Sequence, residues 1–377
     1  PLVLNTDKGV APYLAQRWEI SPDGKSYTFF LRQDVTFSDG EPFNAQAVKL
    51  NIEAVLDNYQ RHAWLELVRQ IDSVEVIDQY TVKLNLKNPY YPTLTELGLT
   101  RPFRFISPKS FINGKTKTGV SHYIGTGPWV LTEHKKDQYA EFKVNPHYWG
   151  QKPALTGVMW RVIPDRQTML LSLQKGDIQL IFGADGDMLD MDSFDALMAS
   201  DKFKTQMSAP IASRAIVLNS SRPITSSQKV RQALSMAVNK DAIIEAVYQG
   251  AGQKAKNLIP PTMWGYNDDI VDYEYNPEKA KALLKEAGLA DGFTIDLWAM
   301  PVQRPYNPNA RRMAEMVQAD WEKIGVKTKI VSYEWGEYLK RAKSGEHQAV
   351  MMGWTGDNGD PDNFFATLFS CAAKEQG

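Results

Sequence analysis

An α/β fold is predicted from three features of the 377-residue sequence. Apolar positions switch along the chain between the two-residue period of a half-buried strand and the period of a helix. The closing third alternates strand, helix and strand, as a parallel βαβ unit does. Glycine and proline, 25 and 21 residues respectively, punctuate the junctions and separate one periodic segment from the next.

Tyr27-Thr-Phe-Phe-Leu31 and Thr81-Val-Lys-Leu-Asn-Leu86 read as strands, within alternating or apolar spans at 27–37 and 73–86. Between them Asn44 is placed to cap a helix whose apolar positions Val48, Ile52, Val55 and Leu56 recur at helical spacing. The first part is therefore α+β. Residues 101–129 are broken by Pro and Gly and end in Ile124-Gly-Thr-Gly-Pro-Trp129, a tight connection into a strand at Val130-Leu131. Strand, helix and strand are expected next at 158–163, 167–175 and 178–182. The acidic stretch at 185–195 lacks the regular oxygen-ligand spacing of a calcium loop and reads as a solvated face.

Two abutting helices follow, the first carrying Val230, Leu234 and Val238, the second capped near Asn239 and carrying Ile243, Ile244 and Val247. Asn276, Pro277 and Gly288 bracket another, with Ala280, Leu283, Leu284 and Ala287 on one face. A strand at 294–299, a helix facing inward through Met313, Met316, Val317, Trp321 and Ile324, and a strand at 326–331 make the βαβ unit. Residues 348–353 add a short, continuous apolar strand, as in a sheet buried on both faces.

Composition limits what such a fold does here. The length suits about two domains, and 43% hydrophobic with 23% charged residues is ordinary for a globular protein. Lys and Arg number 43 against 44 Asp and Glu, which leaves no electrostatic footprint for nucleic acid or an anionic membrane. No apolar run reaches the roughly 18 residues of a membrane span. No signal peptide or initiator Met precedes Pro1, so a processed product or a fragment is expected. Cys371 stands alone, which leaves redox compartment unread and allows either a free thiol or a partner beyond Gly377. Ten Trp and 16 Tyr supply rigid contact area, for core packing or for recognition.

Two segments carry site chemistry, Pro301-Val-Gln-Arg-Pro-Tyr306 and Met351-Met-Gly-Trp-Thr-Gly-Asp-Asn-Gly-Asp-Pro-Asp362. Each follows a predicted strand at its carboxyl end, where open α/β sheets bind ligands. Arg304 offers a planar fork for a carboxylate, and Asp357 accepts from an ammonium. A free amino acid or peptide carries both groups, and Trp354 and Tyr306 are placed to wall such a pocket. A surface salt bridge between the two loops is the competing reading. A second cluster lies in Tyr59-Gln-Arg-His-Ala-Trp64 and Thr100-Arg-Pro-Phe-Arg104. There Arg61 and Trp64 share a helix face if the helix extends so far, and Arg101 begins a loop. Together these three would hold an anionic ligand, unless the arginines pair with nearby acids.

Catalytic patterns are missing. The sequence has no nucleophile-elbow serine, no HExxH, no Walker-type loop and no complete dinucleotide fingerprint. Its five His show neither i, i+4 pairing nor a Cys partner. No catalytic residue, cofactor or protein-ligated metal is expected, and the chain is not expected to be an enzyme.

Ser38-Asp-Gly-Glu-Pro-Phe-Asn-Ala45, Gly125-Thr-Gly-Pro-Trp129, Tyr148-Trp-Gly150, Val230-Arg-Gln-Ala-Leu234 and Ala237-Val-Asn-Lys240 occur in an order and spacing that span nearly the whole chain. They resemble the peptide/nickel class, family 5, of extracytoplasmic solute-binding proteins of ABC transporters. That resemblance implies a two-lobed periplasmic binding protein fold of class II, cluster C type, closing over a hinge near 205–225. It implies an extra α+β subdomain of lobe I at 1–125, the remainder of lobe I at 126–210 and lobe II at 211–377. It further implies a periplasmic, monomeric protein with a small-molecule ligand, a permease partner in the inner membrane and no nucleic acid.

Within the family the likeness divides. Residues 1–210 are most similar to the nickel-binding branch, as in Leu56-Asp-Asn-Tyr-Gln-Arg-His-Ala-Trp-Leu-Glu-Leu67 and Arg101-Pro-Phe-Arg-Phe-Ile106. From 229 onward the chain is similar to the dipeptide-binding branch, as in Lys256-Asn-Leu-Ile-Pro-Pro-Thr-Met-Trp-Gly-Tyr266 and residues 301–312. A seam near the lobe boundary is implied. On the dipeptide side Arg304 matches the arginine for the peptide's carboxylate, Asp357 the aspartate for its α-ammonium, and Trp354 lies in the same motif. On the nickel side Arg61, Trp64 and Arg101 match residues that hold a metal chelate through its organic ligand. That branch's metal-contacting His has no counterpart after Asp360. Truncation at both ends is implied, with a strand segment before Pro1 and a cysteine partner for Cys371 past Gly377. Dipeptides or short peptides are the leading ligand expectation. A nickel chelate or haem is the alternative, and a sensing domain fused to a regulator the third.

Overall fold

Strand Ser26–Leu31 buries Tyr27, Phe29 and Leu31 and leaves the residues between them half-exposed, the alternation that its sequence predicts. It is central in a sheet ordered Ala15–Ile20, Ser26–Leu31, Thr81–Leu86, Ile71–Asp78, antiparallel throughout. Helix Ala45–Asp57 covers this sheet with Val48 and Ile52, and the Asn44 side chain accepts from Ala47 N at 2.9 Å as its cap. The structure, a computed structural model, describes residues 1–182, 189–209 and 211–375. Contacts divide it into one unit of Pro1–Ile163 with Phe365–Thr367, and a second of Pro164–Phe364 with Leu368–Gly377. The division after 163 falls inside the 126–210 span expected to belong to one lobe.

Two buried polar side chains organise the first unit beyond its sheet. Asn51 donates to the carbonyls of Ala47 and Ile106 and accepts from Ile106 N at 3.0 Å, which ties the chain after 103 to the helix. Glu96, 1% exposed, accepts from Leu67 N at 3.0 Å and from the Tyr90 hydroxyl at 2.6 Å. Through these two bonds Glu96 joins the helices Thr93–Leu97 and Glu66–Gln70. Strands Trp129–Lys135, Tyr139–Val144 and Gly157–Arg161 form a separate antiparallel sheet.

The second unit opens with helix Arg166–Lys175, capped by Asp165. The strand expected at 178–182 is not formed. Leu180 and Phe182 are 74% and 69% exposed, because no partner ladder receives this short apolar run among the described residues. Of the acidic stretch, 185–188 lies outside the described residues, and Asp190 caps the helix Met191–Met198.

The second sheet runs in the order Ala212–Leu218, Ala349–Thr355, Phe293–Trp298, Val326–Val331. Phe293–Trp298 pairs in parallel with both neighbours, and Ala212–Leu218, within the span expected to hinge, pairs antiparallel along its length. Helix Ala310–Glu322 makes the crossover and buries Met313, Val317 and Trp321, so the βαβ reading holds. Helices Gln228–Met236, Lys240–Tyr248 and Pro277–Glu286 carry side-chain caps at Ser227, Asn239 and Asn276. Trp321 Nε1 donates to Leu234 O at 3.0 Å, joining the crossover helix to the first of these. Tyr338, fully buried on helix Trp335–Lys343, places its hydroxyl 2.8 Å from Met351 O and 3.1 Å from Trp298 O.

Gly292 and Gly325 stand just before the strands of the βαβ unit, at φ of 77° and 82°. A Cβ on Gly292 would lie 1.9 Å from Gly325 O, closer than any contact allows. Gly292→Ala is expected to lower stability by about 2 kcal/mol or more through left-handed strain and this clash. A urea midpoint that stayed at the wild-type value would contradict that reading.

Candidate functional site

The parallel ladder pairs Trp298 with Val350, so the two strands leave the sheet side by side. Arg304 follows Trp298 by six residues and Asp357 follows Val350 by seven, which puts both loops beyond the same carboxyl edge. Reciprocal main-chain bonds between Arg304 and Asn307, at 3.1 and 2.9 Å, close the first loop into a tight turn. Asn307 is fully buried beneath it, with its amide nitrogen near the sulfurs of Met351 and Met313.

The Arg304 guanidinium carbon stands 4.9 Å from the centroid of the Trp335 ring. Its Nε is buried without a hydrogen-bond partner, and no salt bridge of Arg304 occurs among the described residues. The expected alternative of a loop-to-loop salt bridge is therefore not what holds this arginine. The Tyr306 ring lies over the backbone of Gly353, where a Cβ would meet Tyr306 Cδ2 at 2.3 Å. Burial pushes the Tyr306 phenol up, with the Arg304 charge opposing the shift.

On the second loop, Asn363 Oδ1 accepts from Trp354 Nε1 at 2.8 Å and from Asp357 N at 3.0 Å. Asn363, 3% exposed, thereby fixes both residues, and Trp354 packs against the small cluster of Ile259, Met263 and Phe364. The Asp357 side chain is exposed. Asp360, 5% exposed, accepts from Asp362 N at 2.9 Å. Burial raises its carboxyl above the ordinary range, the backbone bond from Asp362 opposes this, and the Asp362 charge adds to it.

In the first unit, helix Tyr59–His62 ends before Trp64, so Arg61 and Trp64 do not share a helix face as expected. The two-residue turn at 63–64 breaks the period. Arg101 likewise does not begin a loop: it lies inside the turn Thr100–Phe103, at non-helical φ −112° and ψ 118°. Even so, its guanidinium carbon reaches within 5.5 Å of the Trp64 ring centroid. His62 is held below the usual imidazole range by burial first, then by the charges of Arg61, Arg101 and Arg104. Three arginines thus converge on one imidazole with no acid among the groups that perturb it. Such a cluster raises a positive potential suited to a polycarboxylate.

Sequence reasoning missed Trp335, Asn363 and Gly353 in the second unit and Arg104 in the first. Their contribution rests on contacts between elements, and the local signals were limited to the juxtaposition of Arg104 with Arg101 in one motif and to a glycine standing inside a strand at 353.

The chain matches the family described as "Bacterial extracellular solute-binding proteins, family 5 Middle" over residues 9–376. It is 50% identical to the dipeptide-binding protein of Escherichia coli K12, over 98% of this chain and 72% of that one. Among solved structures it is similar to NikA from Brucella suis in complex with Fe(III)-EDTA, with a TM-score of 0.90 and 39% identity over 100% of this chain and 77% of that one. A dipeptide-binding protein from Pseudoalteromonas sp. SM9913 in complex with Met-Leu matches with a TM-score of 0.83 and 30% identity, over the same shares of the two chains. The α/β binding-protein architecture expected from the sequence is shared with these neighbours, and neither the peptide nor the metal-chelate likeness stops at a boundary within the chain.

Asp360 gives a pH-dependent prediction. Its folded pKa lies above the unfolded one, so the native state binds the proton more tightly, and the ionised carboxylate costs stability at neutral pH. The cost disappears as pH falls below the unfolded value. Asp360→Asn keeps an acceptor for Asp362 N and is expected to raise the thermal midpoint at about pH 7 and leave it unchanged at about pH 3. A gain of equal size at both pH values would rule out titration as its source.

Proposed function

This chain belongs to the bacterial extracellular solute-binding proteins of family 5, and on that premise we propose that it captures dipeptides or short peptides in the periplasm and delivers them to an inner-membrane ABC permease. Members of the family are transport components rather than enzymes. The observation that carries the peptide reading is Arg304: a guanidinium stacked on Trp335, with a buried Nε left unpaired and no salt bridge among the described residues. A cation kept in that condition is prepared for a carboxylate, whose two oxygens match its fork. Asp357, beyond the neighbouring parallel strand, takes the α-ammonium, and Trp354 borders the ligand. The charged termini fix the peptide, while solvated side chains are accommodated through water and contribute little selectivity. The protein acts as a monomer whose lobes close on the ligand.

Isothermal calorimetry with ligand-free protein and a dipeptide such as Ala-Leu tests this. Arg304→Ala is expected to weaken binding by roughly 30-fold or more, the worth of about 2 kcal/mol for a charged hydrogen-bonded contact. Unchanged affinity would sink the assignment.

The cluster of Arg61, Arg101 and Arg104 about His62, with Trp64 against Arg101, favours a second reading: capture of a metal chelate or haem through carboxylates of the organic ligand. Native mass spectrometry of freshly purified protein separates the two, since a bound dipeptide and a bound metal chelate differ in mass and isotope pattern. A chelate mass alone would replace the peptide reading with this one.

A further inference from the structure

The Tyr306 carbonyl accepts a hydrogen bond from the Tyr248 hydroxyl at 2.7 Å. Tyr248 is the last residue of helix Lys240–Tyr248, an element whose own anchoring does not need that hydroxyl: Asn239 caps it, and Ile243 and Val247 bury it. The phenol is spent on the loop that carries Arg304. Behind it, the Arg214 guanidinium carbon stands 5.4 Å from the centroid of the Tyr248 ring.

Register explains how Arg214 comes to be there. It lies directly opposite Gly353 in the antiparallel pair, so its side chain leaves the sheet on the face covered by the Tyr306 ring. No acid pairs with Arg214 among the described residues; its Nη1 meets the sulfur of Met313. Holding a half-buried cation without an ion pair is costly. Its benefit is electrostatic, since a cation beside the phenol ring polarises the hydroxyl and strengthens its donation to the Tyr306 carbonyl. Tyr306 is thereby fixed at two points, its carbonyl by Tyr248 and its ring by the bare backbone of Gly353.

We propose that Tyr248, supported by Arg214, is a positioning residue for Arg304, fixing the 304–307 turn so that the guanidinium faces a carboxylate in one orientation and ligands with a free carboxyl terminus are preferred. This rests on the peptide reading above. A turn free to shift would still offer a positive charge, but would lose the two parallel bonds that tell a carboxylate from an amide. Tyr248 never touches the ligand; its effect passes through Tyr306 to Arg304.

The test compares Ala-Leu with Ala-Leu-amide by calorimetry on wild type, Tyr248→Phe, Arg304→Ala and the double variant. Phe keeps the ring under Arg214 and removes only the hydroxyl. Wild type is expected to prefer the free acid by at least about tenfold. Tyr248→Phe is expected to weaken the acid by about five- to tenfold, leave the amide within about twofold, and add nothing further on the Arg304→Ala background. Arg214→Gln is expected to reproduce the loss at about threefold. Equal losses for acid and amide, or additivity with Arg304→Ala, would make Tyr248 a general structural residue and overturn the proposal. An unaltered acid-to-amide ratio in Arg214→Gln would remove Arg214 from it. If wild type shows no preference for the acid, the carboxylate reading of Arg304 fails and this inference falls with it. If wild type discriminates and Tyr248→Phe discriminates equally, only the positioning role fails.

Discussion

The hydroxyl of Tyr338 holds together the edge on which the second unit's site is built. Strands Phe293–Trp298 and Ala349–Thr355 run in parallel but share only two paired positions, Leu297 with Ala349 and Trp298 with Val350. At that short ladder the carbonyls of Trp298 and Met351 face one side-chain donor, and a buried carbonyl left without a donor costs about 1–3 kcal/mol. Tyr338, fully buried, lies within hydrogen-bond distance of both. Its helix also presents Trp335 three residues earlier, stacked on Tyr338 at 5.5 Å and lying under the Arg304 guanidinium. One short helix thus joins the ends of two strands and supports the cation that follows one of them.

Charge pairing separates this arginine from several others. Arg69, Arg311 and Arg341 each form a salt bridge with a glutamate three or four residues away on the same helix, an arrangement written in local spacing. Arg304 and Arg214 in the second unit, and Arg61, Arg101 and Arg104 in the first, are instead set against aromatic rings or an imidazole. An aromatic face steadies a guanidinium without consuming the fork, whereas a carboxylate would occupy the bonds that a ligand needs. The two groups of unpaired arginines have the same physical form in separate units.

Legibility followed the range of the interactions concerned. Caps at Asn44, Asn239 and Asn276 were readable because the side chain bonds a backbone amide three residues on, and the structure places each one. The βαβ unit was readable because both strands and the crossover carry their own period. The run at 178–182 misled, since its apolar content is that of a strand but a ladder partner is not a local property. Arg61 and Trp64 misled in the opposite sense: the helical spacing failed at 63–64, yet packing brought Arg101 to Trp64 across 37 residues of chain. Asn363, Trp335 and Gly353 were silent because a buried amide, a tryptophan on an amphipathic helix and a glycine in a strand each have a commoner structural use. For Gly353 the glycine itself was the one available sign, as a strand interior without a side chain often marks a close approach.

The two ends of the second unit's site are built on opposite principles. Around Arg304 the surroundings are aromatic and partly buried, the turn is closed by reciprocal main-chain bonds, and the guanidinium lies against Trp335. Around Asp357 the side chain is exposed, and Asn363 holds the backbone. A charge in low-dielectric surroundings interacts more strongly than one in water, and a pre-organised group loses less entropy on binding. Under the peptide proposal, the arginine end therefore supplies the larger share of affinity and the sharper geometric test, while the aspartate end contributes a screened attraction that tolerates small displacements of the ammonium. On that proposal a ligand is registered from its anionic end, and variation in its length or side chains is absorbed towards the cationic one.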